Sequence, residues 1–135
     1  MESHYPVDSA ILMLGTNDCK SAYNATGSTI GEGIEKCLEV LEKYLLPENI
    51  LLISPMALGE DVWRPDKDPE FDKKSVVVSR QLKDVYGSIA RRHGVKFLAA
   101  SDYVKASPID NEHMDASGHK HFAEVVSHFF LGYNR

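Results

Sequence analysis

Three short apolar runs, separated by stretches with helical periodicity, constrain the fold of this chain more than any other feature. The runs from Ala10 to Leu14 and from Ile50 to Ile53 are continuous and bounded by turn residues. That pattern is typical of parallel strands buried on both faces. A shorter run, from Val95 to Leu98, follows a His-Gly pair and predicts a third strand.

Helices are predicted between and after these strands, because apolar residues recur there at spacings of three and four. The first helix should end near Pro47 and the second at Gly94, and Asp115 or Ser117 could cap the third. Strands that alternate with helices predict an α/β fold with a parallel sheet and right-handed crossovers. The apolar sets are Ile34, Leu38, Leu41 and Leu45; Val78, Leu82, Val85 and Ile89; and Phe122, Val125, Val126, Phe129 and Phe130.

Length and charge restrict the class of protein. A chain of 135 residues fits one domain, residues 1–135, and its net charge of -5 argues against nucleic acid or anionic membrane as a partner. No apolar run is long enough to span a bilayer. Cys19 and Cys37 lack a metal-ligand spacing and are predicted to be free thiols. The start carries no signal sequence, which predicts a cytoplasmic location provided that Met1 is the natural start.

Two polar motifs stand out at opposite ends of the sequence. Gly-Thr-Asn-Asp at residues 15–18 follows the first predicted strand, and Asp-Asn-Glu-His at residues 110–113 follows the third. Because sites in parallel sheets form beyond the carboxyl ends of the strands, we expect both motifs on one rim of the molecule.

The residue types of these motifs suit acyl transfer. His113 can act as a general base, and Asp110, three residues earlier, can fold back to orient the imidazole. Asn17 offers a neutral amide with two donors, which suits an oxyanion hole. The simpler alternatives are turn chemistry for Asn17, an incidental surface pair for Asp110 and His113, and a capping or hydrogen-bonding role for Asp18.

The motifs resemble the third (GxND) and fifth (DxxH) blocks of the SGNH, or GDSL-type, esterases and lipases, in particular the arylesterase and acyltransferase branch. The Asp-Ala-Ser-Gly-His sequence that follows is typical of the continuation of the fifth block. The resemblance implies a three-layer α/β/α, flavodoxin-like fold and hydrolysis of small carboxylic esters through a Ser-His-Asp acyl-enzyme. It implies no cofactor and no metal. Asn17 would be the oxyanion donor, supported by Gly15 and Asp18, His113 the base, and Asp110 its orienting acid.

The sequence also departs from the family pattern. None of its twelve serines stands in a Gly-Asp-Ser context. In the family, that nucleophile block and a glycine block precede GxND. The chain is therefore expected to be a truncated domain of about three parallel strands, family strands 3 to 5, and to be inactive alone. Ser21 and Ser54 follow strand ends, but neither matches the family position of the nucleophile. The alternative is a catalytically silent, self-associating α/β module.

The long segment 55–74 leaves the second strand on the same rim. Loops of this length in compact domains are usually functional or disordered. Met56, Trp63 and Phe71 in this segment are candidates for lining an acyl pocket or for an oligomer contact.

Loss of two strands would leave the predicted strand from Ala10 to Leu14 at the edge of the sheet. An apolar edge with unpaired backbone groups is a template for pairing with another strand. This predicts either a homo-oligomer formed through that strand or the binding of a complementing N-terminal segment.

Overall fold

The computed structural model describes residues 2–131 and contains three strands and three α-helices. All three strands are parallel, in the order β1-β2-β3. The prediction of an α/β fold with three parallel strands is confirmed. The elements are β1 (Ala10–Leu12), α1 (Gly27–Leu41), β2 (Ile50–Ser54), α2 (Lys73–His93), β3 (Lys96–Ala99) and α3 (Ala116–Leu131).

The sheet lies between two helical layers. Every residue of the central strand β2 is buried, and successive side chains point to opposite faces. Ile50 and Leu52 pack in the cluster that contains the apolar faces of α1 and α2. Leu51 and Ile53 pack with Phe122 of α3 in a second cluster. The chain therefore has the three layers α/β/α.

Helix ends follow local capping chemistry. The Asp72 carboxylate accepts a hydrogen bond from the Ser75 N–H at 2.9 Å, which starts α2, and Gly94 ends it at φ 69°. Helix α1 ends at Leu41, earlier than predicted, because the residues that follow form turns instead of continuing the helix. Leu45 is nevertheless buried, as its apolar spacing indicated. Within the described residues, no helix is both long and apolar enough to cross a bilayer.

Strand β1 is shorter and more exposed than the sequence predicted. Its register pairs Ala10 with Ile50 and Leu12 with Leu52, and in the described part of the chain β2 is its only sheet neighbour. Ile11 is 51% exposed. The prediction of a strand buried on both faces is correct for β2 but wrong for β1. The prediction that this strand lies at the edge of the sheet is confirmed for the described residues.

The long loop between β2 and α2 is packed against the rest of the protein. Leu58, Val62 and Phe71 are buried in the same cluster as α1 and α2. The Leu58 N–H donates a hydrogen bond to the Ser79 hydroxyl of α2 at 3.0 Å. This loop therefore has a defined place above the carboxyl ends of the strands.

Candidate active site

The turn after β1 requires a glycine and is fastened to α2. Gly15 is buried, with φ +137°, and a Cβ there would lie 2.2 Å from the Tyr86 hydroxyl oxygen. That hydroxyl donates a hydrogen bond to the Leu14 carbonyl at 2.8 Å. Only glycine adopts such backbone angles readily. Gly15 and Tyr86 together set the direction in which the chain leaves the strand.

Asn17 begins a short 3₁₀ turn directly after Gly15. The Asp18 N–H donates a hydrogen bond to the Gly15 carbonyl at 3.1 Å and closes the turn. The Asn17 side chain is exposed and has no hydrogen-bond partner within the described residues, so its amide is free to donate. Asp18 is exposed beside Cys19, and burial together with the Asp18 charge raises the pKa of that thiol to about 11.

Asp110 fixes the loop that carries His113. Its Oδ1 accepts hydrogen bonds from the backbone N–H groups of Glu112 at 2.9 Å and of His113 at 3.0 Å. Its Oδ2 accepts one from His113 Nδ1 at 2.8 Å. Asn111, with φ 61°, provides the left-handed residue that allows the chain to turn back. A single carboxylate thus organises both the backbone and the imidazole.

This geometry favours an ionised Asp110 beside a basic His113. Partial burial opposes ionisation of Asp110, but the hydrogen bonds from His113 and Glu112 outweigh it and lower the Asp110 pKa to about 2. The hydrogen bond with Asp110 raises the pKa of His113 above its ordinary value. With the Nδ1 proton donated to the carboxylate, Nε2 is left as the acceptor. The His113 side chain is 70% exposed.

One cavity brings the two motifs together. Asn17 and His113 both line a space of about 250 Å³, and Met56, Met114 and His119 also line it. Neither Met114 nor His119 was predicted to line the site, although both closely follow the DxxH motif. The position of these two side chains depends on where α3 begins, and the four-residue DxxH motif does not predict that.

Trp63 lies elsewhere and does not line this cavity. Its ring is 37% exposed, and the Lys73 ammonium lies 4.4 Å from the ring centroid. A substrate-binding role for Trp63 stays a prediction.

No serine of the described residues lines the cavity. Ser54 is fully buried at the end of β2, and the Ser21 hydroxyl donates a hydrogen bond to the Glu70 carbonyl at 3.1 Å. The cavity thus combines the imidazole of His113, which Asp110 holds from outside the lining, with the free amide of Asn17, and no serine hydroxyl of the described residues joins them.

Solved structures of esterases resemble this chain over nearly its whole length. Est24, a carbohydrate acetylesterase from Sinorhizobium meliloti, is 30% identical with a TM-score of 0.76, and the match covers 95% of this chain and 64% of Est24. A carbohydrate acetylesterase family member from the same organism is 25% identical with a TM-score of 0.77, covering 96% of this chain and 64% of the other. The M. smegmatis aryl esterase, at 23% identity and a TM-score of 0.77, shares the fold; that match covers 94% of this chain and 61% of the aryl esterase.

The chain is similar in structure to the SGNH, or GDSL-type, esterases and lipases. It spans less than two thirds of the length of these neighbours, 64% of Est24 and 61% of the aryl esterase. No protein-family model and no curated protein matches the sequence.

Proposed function

We propose that this chain is a member of the SGNH family and supplies the base and oxyanion side of a carboxylic ester hydrolase with a Ser-His-Asp acyl-enzyme mechanism. The observation that carries the proposal is the 2.8 Å contact between His113 Nδ1 and Asp110 Oδ2, beside a cavity that Asn17 also lines. A base held by a carboxylate and a nearby amide donor are two of the three requirements for acyl transfer. The third, a nucleophilic serine, has to come from a polypeptide segment other than residues 2–131.

The residues act in sequence on an ester. His113 Nε2 accepts the serine proton as the serine oxygen attacks the ester carbonyl, and the Asn17 amide donates a hydrogen bond to the resulting oxyanion. Asp110 stabilises the imidazolium. The C–O bond to the alcohol then breaks, and His113 returns the proton to the leaving oxygen. A water molecule, deprotonated by the same imidazole, then hydrolyses the acyl-enzyme to the acid and frees the serine.

The proposed substrate is a small ester, with acetyl as the acyl group. The cavity of about 250 Å³ has walls that include Met13, Met56 and Met114, so it suits a short acyl chain. Est24 is a carbohydrate acetylesterase, which agrees with this acyl group.

The edge of the sheet is the proposed place for the serine-bearing segment. Ile11 and Met13 are 51% and 41% exposed, and together with Val126 and Phe130 of α3 they line an open, largely apolar space of about 520 Å³. We propose that residues 1–135 form one partial domain and that a complementing segment adds a strand to β1 and covers this space. The neighbours are long enough to contain such a segment, since the matches leave 36% of Est24 uncovered (100 − 64).

Hydrolysis of p-nitrophenyl acetate tests this proposal. The chain alone should show no turnover above buffer. A fusion that places the Gly-Asp-Ser segment of an SGNH-family acetylesterase ahead of this chain should hydrolyse the ester. Turnover by the chain alone that His113→Ala abolishes would mean that a serine within the chain is the nucleophile. A folded fusion without turnover would favour the second candidate, a catalytically silent and self-associating module, which the exposed apolar edge also supports.

A cytoplasmic location stays a prediction.

A further inference from the structure

Residues 55–72, here called the brace loop, contact the loop that carries His113 on both sides of Asp110. The Gly59 N–H donates a hydrogen bond to the Asn111 carbonyl at 2.8 Å. The Lys67 ammonium donates one to the Ile109 carbonyl, also at 2.8 Å. The two carbonyls belong to the residues immediately before and after Asp110, so the brace loop holds the backbone on either side of that carboxylate.

The contact at Gly59 leaves no room for a side chain. A Cβ at this position would lie 2.0 Å from Asn111 Oδ1 and 2.7 Å from Asn111 Cβ. The second distance involves an atom next to the backbone, so rotation of the Asn111 side chain cannot remove the clash. Asn111 itself is the left-handed residue of the turn, with φ 61°. Glycine at position 59 is therefore needed for the two loops to approach this closely.

The contact at Lys67 is well sheltered. Its side chain is 17% exposed, and its nearest carboxylate partner, Asp66, is 3.6 Å away. The shorter and more direct interaction of the ammonium is thus the charge-assisted hydrogen bond to Ile109. Val62 and Phe71, which are buried on either side of Lys67 in the sequence, fasten the brace loop to the core.

We propose that Gly59 and Lys67 are positioning residues, which hold the backbone around Asp110 so that its carboxylate orients His113. This inference rests on the proposed function, since it assumes that the Asp110–His113 pair serves catalysis. Neither residue lines the cavity that contains His113, so neither is a catalytic residue. Their effect passes through the backbone of residues 109–111.

The His113 pKa can report whether the contact between Asp110 and His113 is intact, because the groups around the imidazole set it. The His113 pKa is raised by the hydrogen bond that the imidazole donates to Asp110 and by the negative charges of Glu112, Asp110 and Asp68. Removal of a nearby cation such as Lys67 would by itself raise the His113 pKa further, because an imidazolium gains from the loss of positive charge. Loss of the Asp110 contact would lower it. The two roles of Lys67 therefore predict changes of opposite sign.

The experiment is an NMR titration of His113 in the purified chain, with the signal assigned by His113→Gln. Lys67→Met keeps the aliphatic stem and removes the ammonium. The His113 pKa should fall by at least half of the decrease that Asp110→Asn produces. Lys67→Arg should restore the wild-type value, since the guanidinium also donates. Gly59→Ala should lower the pKa in the same direction and provides an independent test where Lys67→Met does not fold.

The matched control is Lys74→Met, which removes an ammonium that hydrogen-bonds to Asn24 at 2.5 Å, away from the His113 loop. Its effect on the His113 pKa should be much smaller than that of Lys67→Met. An unchanged or increased His113 pKa in both folded Lys67→Met and folded Gly59→Ala would overturn the inference. Because the titration measures no turnover, this outcome differs from failure of the proposed function, which would be an inactive but folded fusion.

Discussion

At the scale of single residues, Asp110 contributes most to the site. It accepts hydrogen bonds from two backbone N–H groups and from the His113 imidazole. A carboxylate that receives several such bonds is stabilised in its ionised form. The spacing of three residues predicted that Asp110 could reach His113. It did not predict that the other oxygen of the same carboxylate would bind the backbone N–H groups of Glu112 and His113.

The pH dependence of stability follows from the two pKa shifts. The lowered Asp110 pKa stabilises the fold above the ordinary pKa of Asp, and this contribution is lost as the pH falls through about 2. The raised His113 pKa stabilises the fold below the ordinary pKa of His, and this contribution is lost as the pH rises through the folded value. The ion pair is therefore fully formed between the ordinary values of about 3.9 and 6.5.

We expect Asp110→Asn to destabilise the chain more at about pH 5 than at about pH 8, because the charged imidazole loses its partner only at the lower pH. The His113 and Asp110 side chains are 70% and 42% exposed, so solvent screening keeps the difference small. Thermal unfolding at the two pH values measures it. Glu124→Gln, a charge change at an exposed position on α3, is the control and should show no such pH dependence. An equal loss of Tm at both pH values would show that the ion pair contributes nothing.

At the scale of elements, Tyr86 joins α2 to the turn that carries Asn17. It is fully buried, and its hydroxyl donates to the Leu14 carbonyl at 2.8 Å. We expect Tyr86→Phe to lower the free energy of unfolding by about 1 kcal/mol, because the part-buried Leu14 carbonyl loses its donor. Urea denaturation measures this. Tyr103→Phe, at a residue that is 45% exposed, should change stability far less.

Gly15 and Tyr86 should also be coupled. Gly15→Ala places a Cβ 2.2 Å from the Tyr86 hydroxyl oxygen and requires an alanine at φ +137°. We expect a cost on the order of 1–3 kcal/mol from the backbone alone, with the clash added. In the double variant with Tyr86→Phe, the clashing oxygen is absent, so the combined loss should be smaller than the sum. Additive losses would argue against the close contact.

The strands, helices and loops differ in how well the sequence predicted them. The apolar run of β2 and the periodicity of α2 and α3 predicted their positions well, because these signals depend on burial by neighbours that are present. The exposure of β1 depends on what lies beside it in the sheet, which a five-residue apolar run does not encode. The contacts of Gly59 and Lys67 with residues 109–111 join segments more than forty residues apart, so no local pattern indicated them.

At the scale of the whole molecule, the edge of the sheet governs association. Ile11 and Met13 are both more than 40% exposed and line an apolar space together with α3. Exposed apolar edges promote pairing between chains. We therefore expect the isolated chain to sediment as an oligomer. Ile11→Lys should shift it towards monomer, since a charge on the edge opposes pairing.

Val77→Lys is the matched control for this prediction. Val77 is 54% exposed, close to the 51% of Ile11, but lies on α2 instead of the sheet edge. It should leave the sedimentation coefficient unchanged. A monodisperse monomer for the unmodified chain would contradict the proposed role of the β1 edge.

We propose that His113, held by Asp110, is the base of an ester hydrolase whose serine lies on another segment. The initial rate of p-nitrophenyl acetate hydrolysis, compared between the active fusion and its His113→Ala variant, tests this role. We expect the variant to lose about 10²–10⁴-fold in rate, the usual contribution of a general base. His121→Ala, at an exposed position on α3, should keep the wild-type rate. Equal rates for the fusion and its His113→Ala variant would show that His113 is not the base.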